Sequence, residues 1–253
     1  MMRIRYLTST ALALFLFFMI SHSAFAADPF QIPGLPFSPS NKPADVSNTI
    51  SIILLITILS LAPAIVVLMT SFTRIIIVLG FIRTSLATQQ MPPNQVLVGL
   101  ALFLTLFVMS PTLNEINQTA LQPFLNNQIS QTEALQKAAN PMKKFMYMQT
   151  RKKDLLLFME YSKAEKPKTY EGIPLTTLIP AFAISELKTA FQMGFMIFIP
   201  FLVIDMIVAS VLMSMGMMML PPVMISLPFK ILLFIMVDGW HLVIQSLLLS
   251  FHT

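Results

Sequence analysis

The chain has 253 residues, of which 56% are hydrophobic and 11% charged, and a formal net charge of +5. Soluble globular domains usually carry about a quarter charged residues, so an ordinary water-soluble globule is excluded and the sequence reads as an all-α integral membrane protein. With no cysteine and only His22, His241 and His252 dispersed along the chain, disulfides, thiolate catalysis, Fe–S clusters and a histidine-based metal site have no residues to build them, and no cofactor is expected.

The amino terminus reads as a cleavable signal peptide over residues 1–26. Arg3 and Arg5 supply the positive region, 12–20 the short apolar region, and Ala24-Phe25-Ala26 the small-x-small cleavage pattern. Residues 27–47 follow, rich in Pro, Ser and Asn and without a period, and read as an extracytoplasmic linker. A first hydrophobic helical hairpin is expected over 48–111. Its segment 50–69 can cross a hydrocarbon core of about 30 Å although Pro63 should kink it, whereas 96–109 is short for a span. By alternation from a secreted start, the intervening loop 70–95 would be cytoplasmic, and it carries Arg74 and Arg83 with no acid.

Residues 112–183 read as a small helical extracytoplasmic module. Met142, Phe145, Met146 and Met159 recur at helical spacing, with Lys143-Lys144 and Arg151-Lys152-Lys153 on a wet face. Asn140-Pro141 is a candidate helix start and Lys166-Pro167-Lys168 a stop. The basic cluster lacks interleaved aromatics at stacking spacing, so a solvated face or subunit contact is expected rather than nucleic acid.

A second hydrophobic hairpin is expected over 184–253. Its apolar stretches 191–220 and 224–249 contain Gly194, Pro200 and Asp205, then Pro228, Lys230 and Asp238. Interior prolines and charge at depth suit helices that are buried against each other or line a cavity. Hydropathy does not separate helices in lipid from helices packed in a large assembly and partly lifted out of it; the uneven lengths favour the second. Between the stretches runs Met215-Gly216-Met217-Met218-Met219-Leu220-Pro221-Pro222. Thioethers make a soft, polarizable surface; Gly216 should loosen the backbone, and Pro221 and Pro222 should stop the preceding helix, so the pair acts with the glycine as a loop hinge.

The charged residues need partners, because an unpaired charge in apolar surroundings costs at least a few kcal/mol. Lys230 is expected to meet Asp205 of a neighbouring helix or subunit as an assembly contact. Glu186 and Lys188, two apart, cannot face each other on one helix and should reach different neighbours. Asp238 is the further charge of this set.

The blocks Ser71-Phe72-Thr73-Arg74, Gly80-Phe81-Ile82-Arg83, Pro92-Pro93-Asn94-Gln95, 184–191, 198–205, the methionine run, Ser226-Leu227-Pro228-Phe229-Lys230 and Val237-Asp238-Gly239-Trp240 resemble, in this order, the FliP/SctR family of type III secretion export-gate proteins, and its flagellar branch in particular. The resemblance covers roughly residues 50–250. It implies a homopentamer that joins the Q and R components of the export gate in a helical, closed pore of the bacterial inner membrane, at the flagellar basal body. Unfolded flagellar subunits would pass through it. It also implies a methionine gasket around the lumen, mapping onto Met217, Met218 and Met219 with Met215 beside it. Energy and selection would come from the large export-gate protein and a cytoplasmic ATPase complex, and no enzymatic activity is expected of this chain.

Two other classes fit parts of the sequence. An intramembrane aspartyl protease needs two facing carboxylates, which Asp205 and Asp238 superficially offer, but Lys230 lies near enough to neutralise one. An ion-coupled carrier also uses broken helices and buried charge, yet should show two related halves, and no convincing internal repeat is visible.

Overall fold

The computed structural model describes residues 43–88, 90–162, 169–217 and 220–251, and the regular elements among them are helices. The expected leader with Ala24 and Ala26, the stop at 166–168, and Met218 and Met219 lie outside the described residues. The chain divides into two units, Met1–Ser60 and Leu61–Thr253. Helix α1 (Pro43–Met69) opens in the first and closes in the second. It begins inside the stretch expected to be a linker, with a proline in its first turn, where the missing N–H has no helical partner to lose.

In the second unit, α2 (Phe72–Ser85) is the central element. Ile75, Val78, Leu79 and Ile82 recur at three- and four-residue steps and are buried, together with Leu97, Ala101, Ala190, Phe201, Phe234, Val243 and Leu247 from four later helices. This corrects the reading of 70–95 as a loop. Helix α6 (Leu175–Ser214) offers α2 small residues, Ala190 and Gly194, which let the backbones approach closely. At Gly194 a β-carbon would overlap the ring of Phe81 on α2, and that ring stands edge-on to Phe191 at 5.5 Å.

Helices α3 (Asn94–Leu125) and α6 are long and apolar enough to cross a membrane. Helix α3 is continuous through a wide π-type turn at Asn117–Leu121. Helices α7 (Pro222–Met236) and α8 (Gly239–Leu249), bent by 63°, count as a third span if taken together. At 1.5 Å per residue the 40 residues of α6 extend about 60 Å, twice the hydrocarbon thickness of about 30 Å, so one helix cannot lie wholly in lipid.

The module has its own core. Met146 of α4 (Gln131–Gln149), Leu155 and Met159 of α5 (Lys152–Tyr161), and Leu178, Ala181 and Phe182 of α6 are buried together with Ile173. Helix α4 starts at Ser130, whose side chain accepts the Glu133 N–H, and not at Asn140-Pro141; Pro141 lies inside the helix. The expected boundaries at 111/112 and 183/184 fall within α3 and α6, which carry the chain through both without a break. The module is thus built on the ends of the long helices.

Candidate functional site

The methionine run forms the turn between α6 and α7. Helix α6 ends at Ser214; the Gly216 N–H donates to the Met213 carbonyl and the Met217 N–H to the Leu212 carbonyl, with Gly216 at φ +75°. This paired pattern closes a helix on a left-handed residue that glycine adopts without penalty. Gly216 therefore stops the helix instead of loosening it. Pro221 and Pro222 do not stop α6; they start α7, Pro222 being its first residue. Met215 and Met217 stand 57% and 37% exposed, Leu220 and Pro221 are exposed too, and an apolar cavity of about 480 Å³ lies beside Met215, lined by Ile204, Ile207, Val211, Ile225 and Phe229.

The hairpin behind this turn is held by one ion pair. Lys230 of α7 donates to Asp205 of α6 at 2.6 Å, and Ser226, one turn earlier, donates to the other carboxylate oxygen. Lys230 is 2% exposed and Asp205 25%. The two meet within one chain. Asp238 has no share in this cluster: it lies exposed at the α7–α8 bend in a left-handed conformation, φ 49°. The carboxylate dyad of a protease is therefore not assembled, since Asp205 is committed to Ser226 and Lys230.

A second polar cluster lies deeper. Arg74 of α2 pairs with Glu186 of α6 through two nitrogens, the two side chains being 2% and 0% exposed. Its remaining N–H groups donate to Gln149 Oε1 at 3.0 Å and to the Ser250 carbonyl and hydroxyl at 2.9 Å, and its guanidinium covers the Phe251 ring at 4.0 Å. Nearby, Ser185 donates to Asp154 at 2.7 Å and accepts the Arg151 N–H, while Arg151 also pairs with Asp154 at 2.8 Å. A buried charge survives only when paired and hydrogen-bonded, and this cluster meets both conditions. Reading Arg74 as a loop charge missed it. The signal was present: Arg74 shares a helical face with Val78 and Ile82, the buried stripe.

The same cluster corrects the alternating topology. Gln149, placed outside, is hydrogen-bonded to Arg74, placed inside, and groups 3.0 Å apart share one side of a membrane. Lys188, two residues past Glu186, points elsewhere: it is exposed and joins no ion pair among the described residues.

Against known proteins, the FliP family model matches residues 55–247. The chain belongs to the FliP family. It is 68% identical to the flagellar biosynthetic protein FliP of Bacillus subtilis (strain 168) over 212 residues, 84% of this chain and 96% of that protein. It is 50% identical to the Pectobacterium carotovorum protein of that name over 224 residues, 88% of this chain and 87% of the relative. With the FliP of Borreliella burgdorferi it shares 47% over 247 residues, 94% and 97% of the two chains. The FliP match takes in the methionine turn, the Lys230–Asp205 pair, Arg74 and Glu186, and leaves out residues 1–54.

Proposed function

We propose that this FliP-family chain is a core, pore-forming component of the flagellar type III protein export gate, through which unfolded flagellar subunits leave the cell. Several copies, five by family resemblance, form a helical ring with the Q and R components in the inner membrane at the flagellar basal body. The large export-gate protein docks beside them and supplies selection. The module and the Arg74–Glu186 level lie on the extracytoplasmic side, lifted out of the hydrocarbon, a placement that the length of α6 leaves room for.

The observation that carries the gating role is the methionine turn at the tip of a pinned hairpin. Met215 and Met217 are exposed on a glycine-capped turn while the Lys230–Asp205 pair fixes the two helices behind it. A passage for chains of any sequence must avoid specific recognition. Thioethers supply polarizable contact without fixed charge or strong hydrogen bonds, so they yield to cargo and offer ions no partner. The cavity beside Met215 gives the side chains room to shift. Met217, Met218 and Met219, with Met215 beside them, close the lumen at rest. Replacing Met217, Met218 and Met219 with glycine in cells carrying the assembled gate should raise small-ion leakage; an unchanged leak would refute the gasket.

A further inference from the structure

The geometry points to a specific contact between copies of this chain: the exposed stripe of α6 around Lys188 seats in the groove that contains Glu115 of the next copy. It rests on the ring reading above and names the faces that would form the ring.

The groove, about 870 Å³, lies between α3, α4 and the end of α8, and is walled by Phe107, Pro111, Phe145, Met148 and Phe251 with Glu115 on its rim. Glu115 is exposed, and among the described residues its carboxylate forms neither an ion pair nor a hydrogen bond. Lys144 lines the same groove without forming an ion pair with it. On α6, Ile184, Leu187, Phe191 and Phe195 are exposed and recur at three- and four-residue steps, making a ridge of large apolar side chains with Lys188 embedded in it. A cation in such a ridge needs an acceptor, and it meets none among the described residues of its own chain. One face is a ridge with an unpaired positive charge, the other a groove that holds Glu115 with Lys144 beside it.

The two faces also border one polar cluster. Lys188 stands about half a turn from Glu186, which binds Arg74; Arg74 reaches Gln149 and Ser250, and Gln149 and Phe251 line the groove of Glu115. Lys188 and the groove of Glu115 therefore both border the Arg74 cluster, from different helices. Identical chains joined through two different faces form a closed ring when the rotation closes, and a rotation about an axis along the helices preserves height. The contact fits such a ring. Two copies stacked by a two-fold axis across the helices would not in general bring these two faces together.

The native sequence has no cysteine, so paired cysteines give a clean test. In the full chain in membranes, Leu187→Cys together with Thr112→Cys, which lines the groove, should yield an oxidation-dependent ladder of cross-linked copies. Neither Lys188→Glu nor Glu115→Lys removes an ion pair or a side-chain hydrogen bond among the described residues, so each should fold; each should lower the cross-linked yield about tenfold, and the two together should restore it. Detergent-extracted particle size is measured in parallel. Rings of normal size with no Leu187–Thr112 cross-link would overturn this contact while leaving the ring intact. Single-copy particles from the unaltered chain would overturn the ring reading itself. A lipid-covered ridge would show as labelling of Leu187→Cys by a bilayer-soluble maleimide at the same rate in assembled and dispersed protein, which also overturns the contact.

Discussion

Replacing Glu186 with leucine should cost about 3–5 kcal/mol of stability, the usual consequence of stripping one partner from a buried ion pair. Arg74 is 2% exposed, so its charge cannot turn to water. Without Glu186 it keeps Gln149, the Ser250 carbonyl and hydroxyl, and the face of Phe251, all of them neutral. Glu186→Gln, which retains one acceptor, should cost less. Arg74→Met combined with Glu186→Leu removes both charges, leaving about 1–3 kcal/mol for buried acceptors that lose their donor, so the double variant should be more stable than Glu186→Leu alone. Denaturant titration of the detergent-solubilised protein would measure this, followed by fluorescence of Trp240, the single tryptophan, which packs edge-on to Phe234 at 5.5 Å. A cost for Glu186→Leu below about 1 kcal/mol, or additive losses in the double variant, would refute the argument that this pair is a desolvated keystone.

Three further outcomes follow from the same structure. Gly216→Ala should cost about 1–2 kcal/mol because φ +75° strains a residue with a β-carbon, and should loosen the turn enough to raise ion leakage through the assembled gate. Gly194→Val should displace Phe81 from α6 and cost about 1–3 kcal/mol in the same titration, whereas Gly99→Ala, which meets open space, should not destabilise. Lys230→Asp should block gate assembly, and Asp205→Lys in the same chain should restore part of it on native gels; intact assembly with Lys230→Asp alone, or no restoration in the double variant, would argue that the two do not support assembly as a pair.

How much of this was legible in the sequence differed by residue. Lys230 and Asp205 were readable because each is a charge set in an apolar run, so the need for a partner is visible without coordinates. Helix α2 was not, because alternation assigns a loop between two apparent spans and hydropathy does not register a short helix buried by others. Arg74 was absorbed into that loop as a positive-inside charge. Burial of a guanidinium depends on acceptors arriving from positions 149, 186 and 250, and no local pattern states that. The start of α4 was local and still missed: Ser130-Gln131-Thr132-Glu133 has the serine and glutamate spacing of a helix cap, but Pro141 drew attention as the stronger signal. Gly216 was singled out, yet its role inverted, because a glycine before a proline pair reads equally as a hinge or as a helix terminator until its dihedral is known.

The central claim is that the thioethers of Met217, Met218 and Met219 surround the passage. An image of the intact detergent-purified assembly at side-chain resolution tests it most directly. The account predicts these methionines converging on the particle's central axis and occluding it, with Lys230–Asp205 pairs in a ring behind them. Methionines on the outer, lipid-facing wall, around an axis closed by other residues, would contradict it.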